Sequence, residues 1–287
     1  MLGLPNKSGY RKGKNMGSSF LITLREGLEA SLVISILLTY LAKTNRSDES
    51  RSVWLGTIAA TIACLVIGFA FYVLVDGLNG NVEYAVEGTL ALAAMLVLTQ
   101  MIFSMRANAR NMTADLRKKV ETSSKRALVT IAFVAVAREG LETALFLLSA
   151  KTETASGSSV VIGGLIGLVV SIAIGVVIFK AGSRVNLKTF FNVTAVLLLM
   201  FAAGLAGKTV HEFRELLGLE TGYLIESAWT IETGIWSAGG TFYDFMRGLF
   251  GWHANPERIR VITYFAYLLP VLAIYLKRPK AEKQLVS

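Results

Sequence analysis

The chain has 287 residues, of which 53% are hydrophobic and only 17% are charged, with a mean hydropathy of +0.55. Soluble domains carry about 25% charged residues, so this balance indicates an integral membrane protein. The single cysteine, Cys64, excludes a disulfide framework and a cysteine metal cluster. Two histidines are too few for a histidine-based metal centre. We interpret the net charge of +9 as a positive cytoplasmic face, not as a surface for nucleic acid.

The chain begins with a polar and basic stretch, residues 1–19, which predicts a disordered tail. The sequence leaves open whether Met1 or Met16 is the natural start. A membrane-spanning helix needs about 20 apolar residues, and runs of this length are too long for strands. The sequence therefore predicts an all-α, polytopic transmembrane domain over 20–276, with an outer loop over 208–260 and a cytoplasmic tail over 277–287. Seven spans are predicted, at 20–42, 53–75, 84–105, 127–150, 160–179, 190–207 and 261–276.

The predicted orientation follows from the positions of lysine and arginine. Seventeen basic residues lie in the loops between spans one and two, three and four, and five and six, and in the C-terminal tail. With seven spans these segments share one side, which the positive-inside rule assigns to the cytoplasm. The N-terminus is then outside and the C-terminus inside, in a multi-pass protein of the cytoplasmic (plasma) membrane. Four basic residues in the N-terminal tail oppose this assignment but are outnumbered.

A charged pentapeptide, Arg-Glu-Gly-Leu-Glu, occurs twice in the chain. The first copy lies at 25–29 in the first predicted span, and the second lies at 138–142 in the fourth. A unit of three spans turns the next copy upside down, so we expect an inverted repeat of helices 1–3 and 4–6, followed by a seventh helix. Transporters built in this way hold their ion near the midplane, between the repeats.

The helical spacing of the motif places its charges close together. Glu26 and Glu29 are three residues apart, and Arg25 and Glu29, four apart, share a face. The glycine of each copy removes side-chain bulk, so that helices can approach closely there. The second copy repeats the arrangement, with Arg138, Glu139 and Glu142 around Gly140, and Gly27 is the glycine of the first.

Facing copies would present four carboxylates and two guanidinium groups in the membrane. Such charges cost several kcal/mol each unless they are paired, hydrated or neutralised by an ion. Carboxylate oxygens suit hard cations, and a multivalent cation would supply the missing positive charge. An ion-pair cluster that only joins helices, and a proton relay, are the alternatives. The predicted metal ligands are Glu26, Glu29, Glu139 and Glu142, with Arg25 and Arg138 as supporting ion pairs.

The predicted outer side is rich in acids, which raises the local concentration of cations. Glu83 and Glu87 are four residues apart where the third span enters the membrane, and His211, Glu212 and Glu215 follow the sixth. We expect these residues to form an outer vestibule. The alternative is an ordinary solvated surface.

The doubled motif resembles the signature of the oxidase-dependent high-affinity iron permeases, which include fungal iron permeases and bacterial EfeU-like proteins. Supporting segments are LREGLEA near the start, AGLAGKTVHEFRE around the sixth span and LFGWHANP before the seventh. The resemblance implies transport of ferric ion, with the motif glutamates essential and Glu212 and Glu215 as an outward-facing pair. It also implies an extracytoplasmic ferroxidase or haem peroxidase as partner, and an iron-binding periplasmic or extracellular protein.

Three other interpretations remain open at this point. The resemblance extends to permeases for other heavy metals such as lead. A membrane-embedded metalloenzyme could use paired glutamates with His211, although no H-E-x-x-H pattern occurs. A purely structural membrane protein is the third. We predict a transporter and not an enzyme, with no catalytic residue and no tightly bound cofactor, in contact with the lipid bilayer and not with nucleic acid.

Overall fold

The computed structural model describes residues 16–108, 123–152, 157–181, 187–238 and 241–277. This part of the chain contains α-helices and no β-strand, so the all-α prediction is confirmed. Most of the predicted N-terminal tail and of the C-terminal tail, together with most of the basic loop between spans three and four, lies outside the described residues. The helices are α1 (Met16–Lys43), α2 (Ser50–Asp76), α3 (Asn81–Asn108), α4 (Lys125–Thr152), α5 (Gly157–Ala181), α6 (Leu187–Leu216), α7 (Thr241–Phe250) and α8 (Arg258–Leu276).

Five of these helices, α2, α3, α5, α6 and α8, are long and apolar enough to cross a membrane. A helix suits that environment because it satisfies its backbone hydrogen bonds internally. The motif helices α1 and α4 have 28 residues each, but three ionisable groups interrupt their apolar runs. Each predicted span falls within one of α1 to α6 or α8. The number of membrane crossings stays a prediction.

The helices pack in pairs across the chain. The most extensive contacts join α1 to α5, α2 to α4, and α3 to α6, while α8 packs against α6. The main hydrophobic cluster draws on α1, α3, α4, α5, α6 and α8 and includes Ile22, Leu98, Phe146 and Leu199. Large apolar side chains on the outward face of α2, such as Leu65 and Phe69, are exposed, as expected of a surface that faces lipid.

The region predicted as an outer loop is more regular than expected. Helix α6 continues through Leu216, and α7 lies within the connection to α8. Two backbone hydrogen bonds join the beginning of this connection to its end: the Ala228 N–H donates to the Pro256 carbonyl (2.8 Å) and the Ile231 N–H to the Ala254 carbonyl (2.9 Å). Helix α6 extends past the predicted span because the charged side chains of its last turns find partners on α3 and beside the start of α8, as described below.

Candidate functional site

Helices α1 and α4 bring the two charged pentapeptides together. Carboxylate oxygens of Glu26, Glu139 and Glu142 all lie within 4.8 Å of one another. Glu29 joins the cluster through Arg25, whose Nε lies 3.2 Å from Glu29 Oε1. Three of the four carboxylates predicted as metal ligands therefore meet in one place, and the fourth, Glu29, lies beside them on the ion pair with Arg25, although the two copies of the motif are far apart in the sequence.

The two copies form the same ion pair within their helices. Arg25 Nε contacts Glu29, and Arg138 Nε lies 3.0 Å from Glu142 Oε1, both with a four-residue spacing. Arg25 Nη1 also lies 3.7 Å from Glu26 Oε1. Arg138 Nε donates a charge-assisted hydrogen bond to Glu142, which restricts the rotamer of that carboxylate. The contact between Arg25 and Glu29 is an ion pair without hydrogen-bond geometry.

The surroundings of the two arginines differ sharply. The Arg25 side chain is 1% exposed, and its Nη2 donates to the sulfur of Met105 on α3 at 2.9 Å. The Arg138 side chain is 60% exposed. The two identical pentapeptides therefore have different surroundings. Helix α3 covers Arg25, whereas Arg138 is exposed.

The glycines of the motif lie against α5 and α2. A Cβ on Gly27 would overlap the hydroxyl of Ser171 on α5, and a Cβ on Gly140 would lie 2.6 Å from the Sγ of Cys64 on α2. Side-chain bulk at either position would push the helices apart. The close approach predicted for these glycines is therefore made to α5 and α2.

Several buried polar atoms of the cluster have no hydrogen-bond partner in the structure. They include both carboxylate oxygens of Glu26 and one oxygen each of Glu29, Glu139 and Glu142. Burying an ionised carboxylate costs several kcal/mol unless a cation or donors compensate it. A set of carboxylate oxygens suits a hard cation, because hard ions prefer oxygen ligands. The cluster is therefore chemically fit to hold such an ion.

The residues predicted as an outer vestibule separate into two neighbouring groups. In the first, Lys208 Nζ lies 2.9 Å from Glu87 Oε2 and 3.7 Å from Glu212 Oε1. Glu83 lies one turn before Glu87, in the first turn of α3. Sequence reasoning missed Lys208, because the glutamate that it contacts most closely belongs to a helix distant in the sequence.

The second group joins the end of α6 to the start of α8. Ligand atoms of His211, Glu215 and Glu257 lie within 4.8 Å of one another, and His211 Nδ1 is 3.0 Å from Glu257 Oε1. Arg214 contacts Glu215 and lies 2.8 Å from Glu257. The Arg214 guanidinium therefore already offsets part of the negative charge of Glu215 and Glu257. Glu257 was not predicted as a member, and its position just before α8 gave no signal for it.

A cavity of about 340 Å³ lies between α6, α7 and α8. Its wall is mainly apolar and contains Trp229, Trp252, Phe250 and Tyr264. It shares no residue with either pentapeptide, so the carboxylate cluster is a separate feature of the protein.

Residues 16–277 match the Iron permease FTR1 family. The chain is 34% identical over 268 residues to "Ferrous iron permease EfeU" of Escherichia coli O6:H1, covering 91% of this chain and 96% of that protein. It is also 34% identical to the protein of the same name in Yersinia pestis, over 91% of this chain and 94% of that one. No solved structure matches the chain.

Proposed function

Because the chain belongs to the Iron permease FTR1 family, it is an iron transporter and not an enzyme, and we propose that the carboxylate cluster between α1 and α4 binds the iron in transit. The observation that carries the proposal is the convergence of Glu26, Glu139 and Glu142 within 4.8 Å. Their unpartnered buried oxygens support a cationic ligand. Glu29 completes the proposed set.

We propose ferric iron as the form transported. The cluster offers carboxylate oxygens and no nitrogen or sulfur ligand among the residues grouped there, and ferric iron is harder than ferrous iron. Ferrous iron is the second candidate, because the curated relatives carry the name "Ferrous iron permease". Another heavy cation such as lead is the third.

Ferric transport requires an oxidant outside the membrane. Each ferrous ion must lose one electron before it enters, and the electron must pass to a partner that reduces oxygen or peroxide. We propose a ferroxidase or haem peroxidase in that role, with an iron-binding extracytoplasmic protein as a further partner. The proposed setting is the cytoplasmic membrane with the N-terminus outside, an assignment that still depends on the distribution of basic residues.

We propose that α1–α3 and α4–α6 are inverted repeats that share this site. The pairing of α1 with α5, α2 with α4, and α3 with α6 supports this, since a two-fold axis exchanges the first two pairs and maps the third onto itself.

Close contacts at the motif also recur in the two proposed units. Gly27 against Ser171 recurs as Gly140 against Cys64. One helical turn further along each motif helix, Ser31 against Gly175 recurs as Ala144 against Gly68. The register between a motif helix and its neighbour is therefore the same in both units, which supports the repeat although little sequence outside the motif matches.

Uptake of radioactive iron into proteoliposomes tests the site. Glu26→Gln and Glu142→Gln retain the shape and remove the charge of one ligand each. A hydrogen bond or ligand contact to a charged group contributes about 1.5–3 kcal/mol, so each variant should lower iron affinity by roughly tenfold or more. Glu226→Gln is the matched control, because Glu226 is an exposed glutamate that pairs with Arg258.

The same vesicles identify the oxidation state. Ferric citrate is compared with ferrous iron supplied with and without ascorbate, and with and without an added ferroxidase. We expect uptake from ferric citrate, and uptake from ferrous iron only when the oxidase is present and ascorbate is absent. Equal uptake of ferrous iron under reducing conditions would establish the second candidate. Wild-type kinetics in both glutamine variants would show that the cluster does not bind the cargo.

A further inference from the structure

Arg138 is an exposed arginine at the depth of the carboxylate cluster. Its depth in the protein follows from the packing of α4, because Gly140 lies against Cys64, which is near the middle of α2 (Ser50–Asp76). Helix α2 is one of the helices that are long and apolar enough to cross a membrane. Arg138, two residues before Gly140, therefore lies near the middle of the same layer, with 60% of its side chain exposed.

Lipid chains are a poor environment for the exposed part of this arginine. Charged side chains within membrane-spanning helices are rare, and they face the interior of the bundle or a water-filled cavity. A long basic side chain can reach the headgroups when it lies near a helix end. Arg138 is in the middle of α4 (Lys125–Thr152), and its Nε pairs with Glu142, one turn further along the helix. The exposed surface of Arg138 therefore faces water or another protein.

The same exposure extends into the carboxylate cluster. Glu139 and Glu142 are partly exposed, whereas Glu26 is buried. A cation in transit has to reach these carboxylates through water. A second copy of the chain packed over Arg138 would cover this exposed surface, whereas water would leave it open to the ion. Water is therefore the occupant that fits a transport site.

The two arginines of the motif lie at opposite ends of the cluster. Helices α1 and α4 run antiparallel, since Leu41 near the end of α1 packs in one apolar cluster with Leu128 near the start of α4. Arg25 precedes the carboxylates on α1, and Arg138 precedes them on α4. One arginine therefore lies towards each side of the membrane.

The structure is closed at one of these ends and open at the other. Arg25 is buried, and its Nη2 donates to the sulfur of Met105 on α3 at 2.9 Å. At the other end, exposure continues from Arg138 to Val134, which is one turn nearer the start of α4 and 58% exposed. The distribution of basic residues assigns the side on which α4 begins to the cytoplasm.

We propose that the face of α4 with Arg138 and Val134 lines a water-filled route between the carboxylate cluster and the cytoplasm. A hydrated cation passes along this route. The ion pair of Arg138 with Glu142 has no net charge, which lowers the repulsion of a passing cation. The structure is then the form that is open to the cytoplasm and closed at Arg25. The inference rests on the proposed function, because it assumes that the cluster binds the ion.

A single cysteine on this face tests whether water reaches it. Cys64 is the one cysteine of the chain, so Cys64→Ala provides a background without thiols. In that background Val134→Cys is exposed to a cationic, membrane-impermeant methanethiosulfonate. Inside-out vesicles present the cytoplasmic side to the reagent, and right-side-out vesicles present the outer side. The protein is then purified, and mass spectrometry gives the labelled fraction against time.

Ile58→Cys is the matched control. Ile58 is 54% exposed on α2, and it lies at nearly the depth of Val134 because Gly56 packs against the backbone of Val129 and Phe133. No charged residue occurs between 53 and 75, so this side of α2 should face lipid. In inside-out vesicles Val134→Cys should react about tenfold faster than the control, since the reactive thiolate needs water around it. In right-side-out vesicles both should react slowly.

The attached group should also obstruct the route. It is bulky and positively charged, so labelled Val134→Cys should take up iron several-fold more slowly than the same variant before labelling. Labelled Ile58→Cys should keep its uptake. Thr130→Cys, a further turn towards the start of α4, is the second probe if Val134→Cys fails to elute as folded protein in size-exclusion chromatography.

Three results would overturn the proposal. The first is equal labelling of Val134→Cys and Ile58→Cys, and the second is labelling of Val134→Cys from the outer side alone. The third is undiminished iron uptake by the labelled protein. Slow labelling together with an oxidant-induced disulfide dimer of Val134→Cys would show that a second copy covers this face, which also contradicts a water-filled route.

The route and the proposed function fail in different ways. If Glu26→Gln and Glu142→Gln impair uptake while Val134→Cys labels no faster than the control, only the route is wrong. If both glutamine variants leave uptake unchanged while Val134→Cys labels from the cytoplasmic side, water reaches α4 but the cluster does not bind the cargo.

Discussion

Replacing Gly140 by alanine should force α4 away from α2. The added Cβ would lie 2.6 Å from the Sγ and 3.0 Å from the Cβ of Cys64, whereas carbon atoms in good contact are about 3.5–4.0 Å apart. The sulfur can rotate away, but the Cβ of Cys64 moves only with its backbone. The helices must therefore separate by roughly 0.5–1 Å to reach that contact distance.

Overpacking a well-packed interior costs about 1–3 kcal/mol. For a chain of this size 1 kcal/mol corresponds to about 2–4 °C in Tm, so the clash should lower the Tm of Gly140→Ala by roughly 2–12 °C relative to a glycine-to-alanine variant without it. Because Glu139 and Glu142 lie on the displaced helix, the KM for iron should rise as well. The measurements are thermal denaturation in detergent and iron uptake into proteoliposomes.

Gly68→Ala is the matched control. Gly68 lies at the same α2–α4 interface, but its added Cβ would meet Ala144 Cβ at 3.6 Å, an ordinary contact. Both variants gain about the same 0.8–1.0 kcal/mol of helix propensity, so the difference between them isolates the clash. Cys64→Ala should recover part of the loss in Gly140→Ala, since it removes the sulfur. The reasoning is refuted if Gly140→Ala matches Gly68→Ala in both Tm and KM.

Further outcomes follow from the arginines and from the contact between α3 and α8. Arg25→Gln should reduce folded protein strongly, because losing one partner of a buried ion pair costs about 3–5 kcal/mol. Arg138→Gln should affect folding much less, since its side chain is 60% exposed. Equal yields of the two variants by size-exclusion chromatography would contradict this. Tyr267→Phe removes the 2.5 Å hydrogen bond to Thr99 and should cost about 1 kcal/mol. Its Tm should fall by about 2–4 °C, whereas an unchanged Tm would show that the bond contributes nothing.

Apolar runs made the helices predictable from the sequence. An apolar run long enough to cross a bilayer leaves few alternatives to a helix, and the predicted spans fall within observed helices. The meeting of Glu26 with Glu139 and Glu142 also followed from the sequence, because two copies of one charged motif cannot each remain uncompensated in an apolar environment.

Other features depend on contacts that no local pattern encodes. The charged stretch after the sixth predicted span resembled a loop, yet Lys208 and Glu212 continue α6 because Glu87 neutralises the lysine from another helix. Likewise, the sequence of the motif is the same at Arg25 and Arg138, so it cannot predict that one arginine is buried and the other exposed. That difference arises from the helices packed around each copy.

Because the two arginines are unequally buried, the electrostatic potential differs between the two sides of the carboxylate cluster. The positive charge of Arg25 is enclosed by protein beside Glu26 and Glu29, whereas the Arg138 side chain is 60% exposed and less confined to the cluster. Around the cluster, the potential is therefore more negative beside Glu139 and Glu142 than beside Glu26. A cation held there would rest nearer α4 than α1, so the two halves of a site with matching sequences would share its charge unequally.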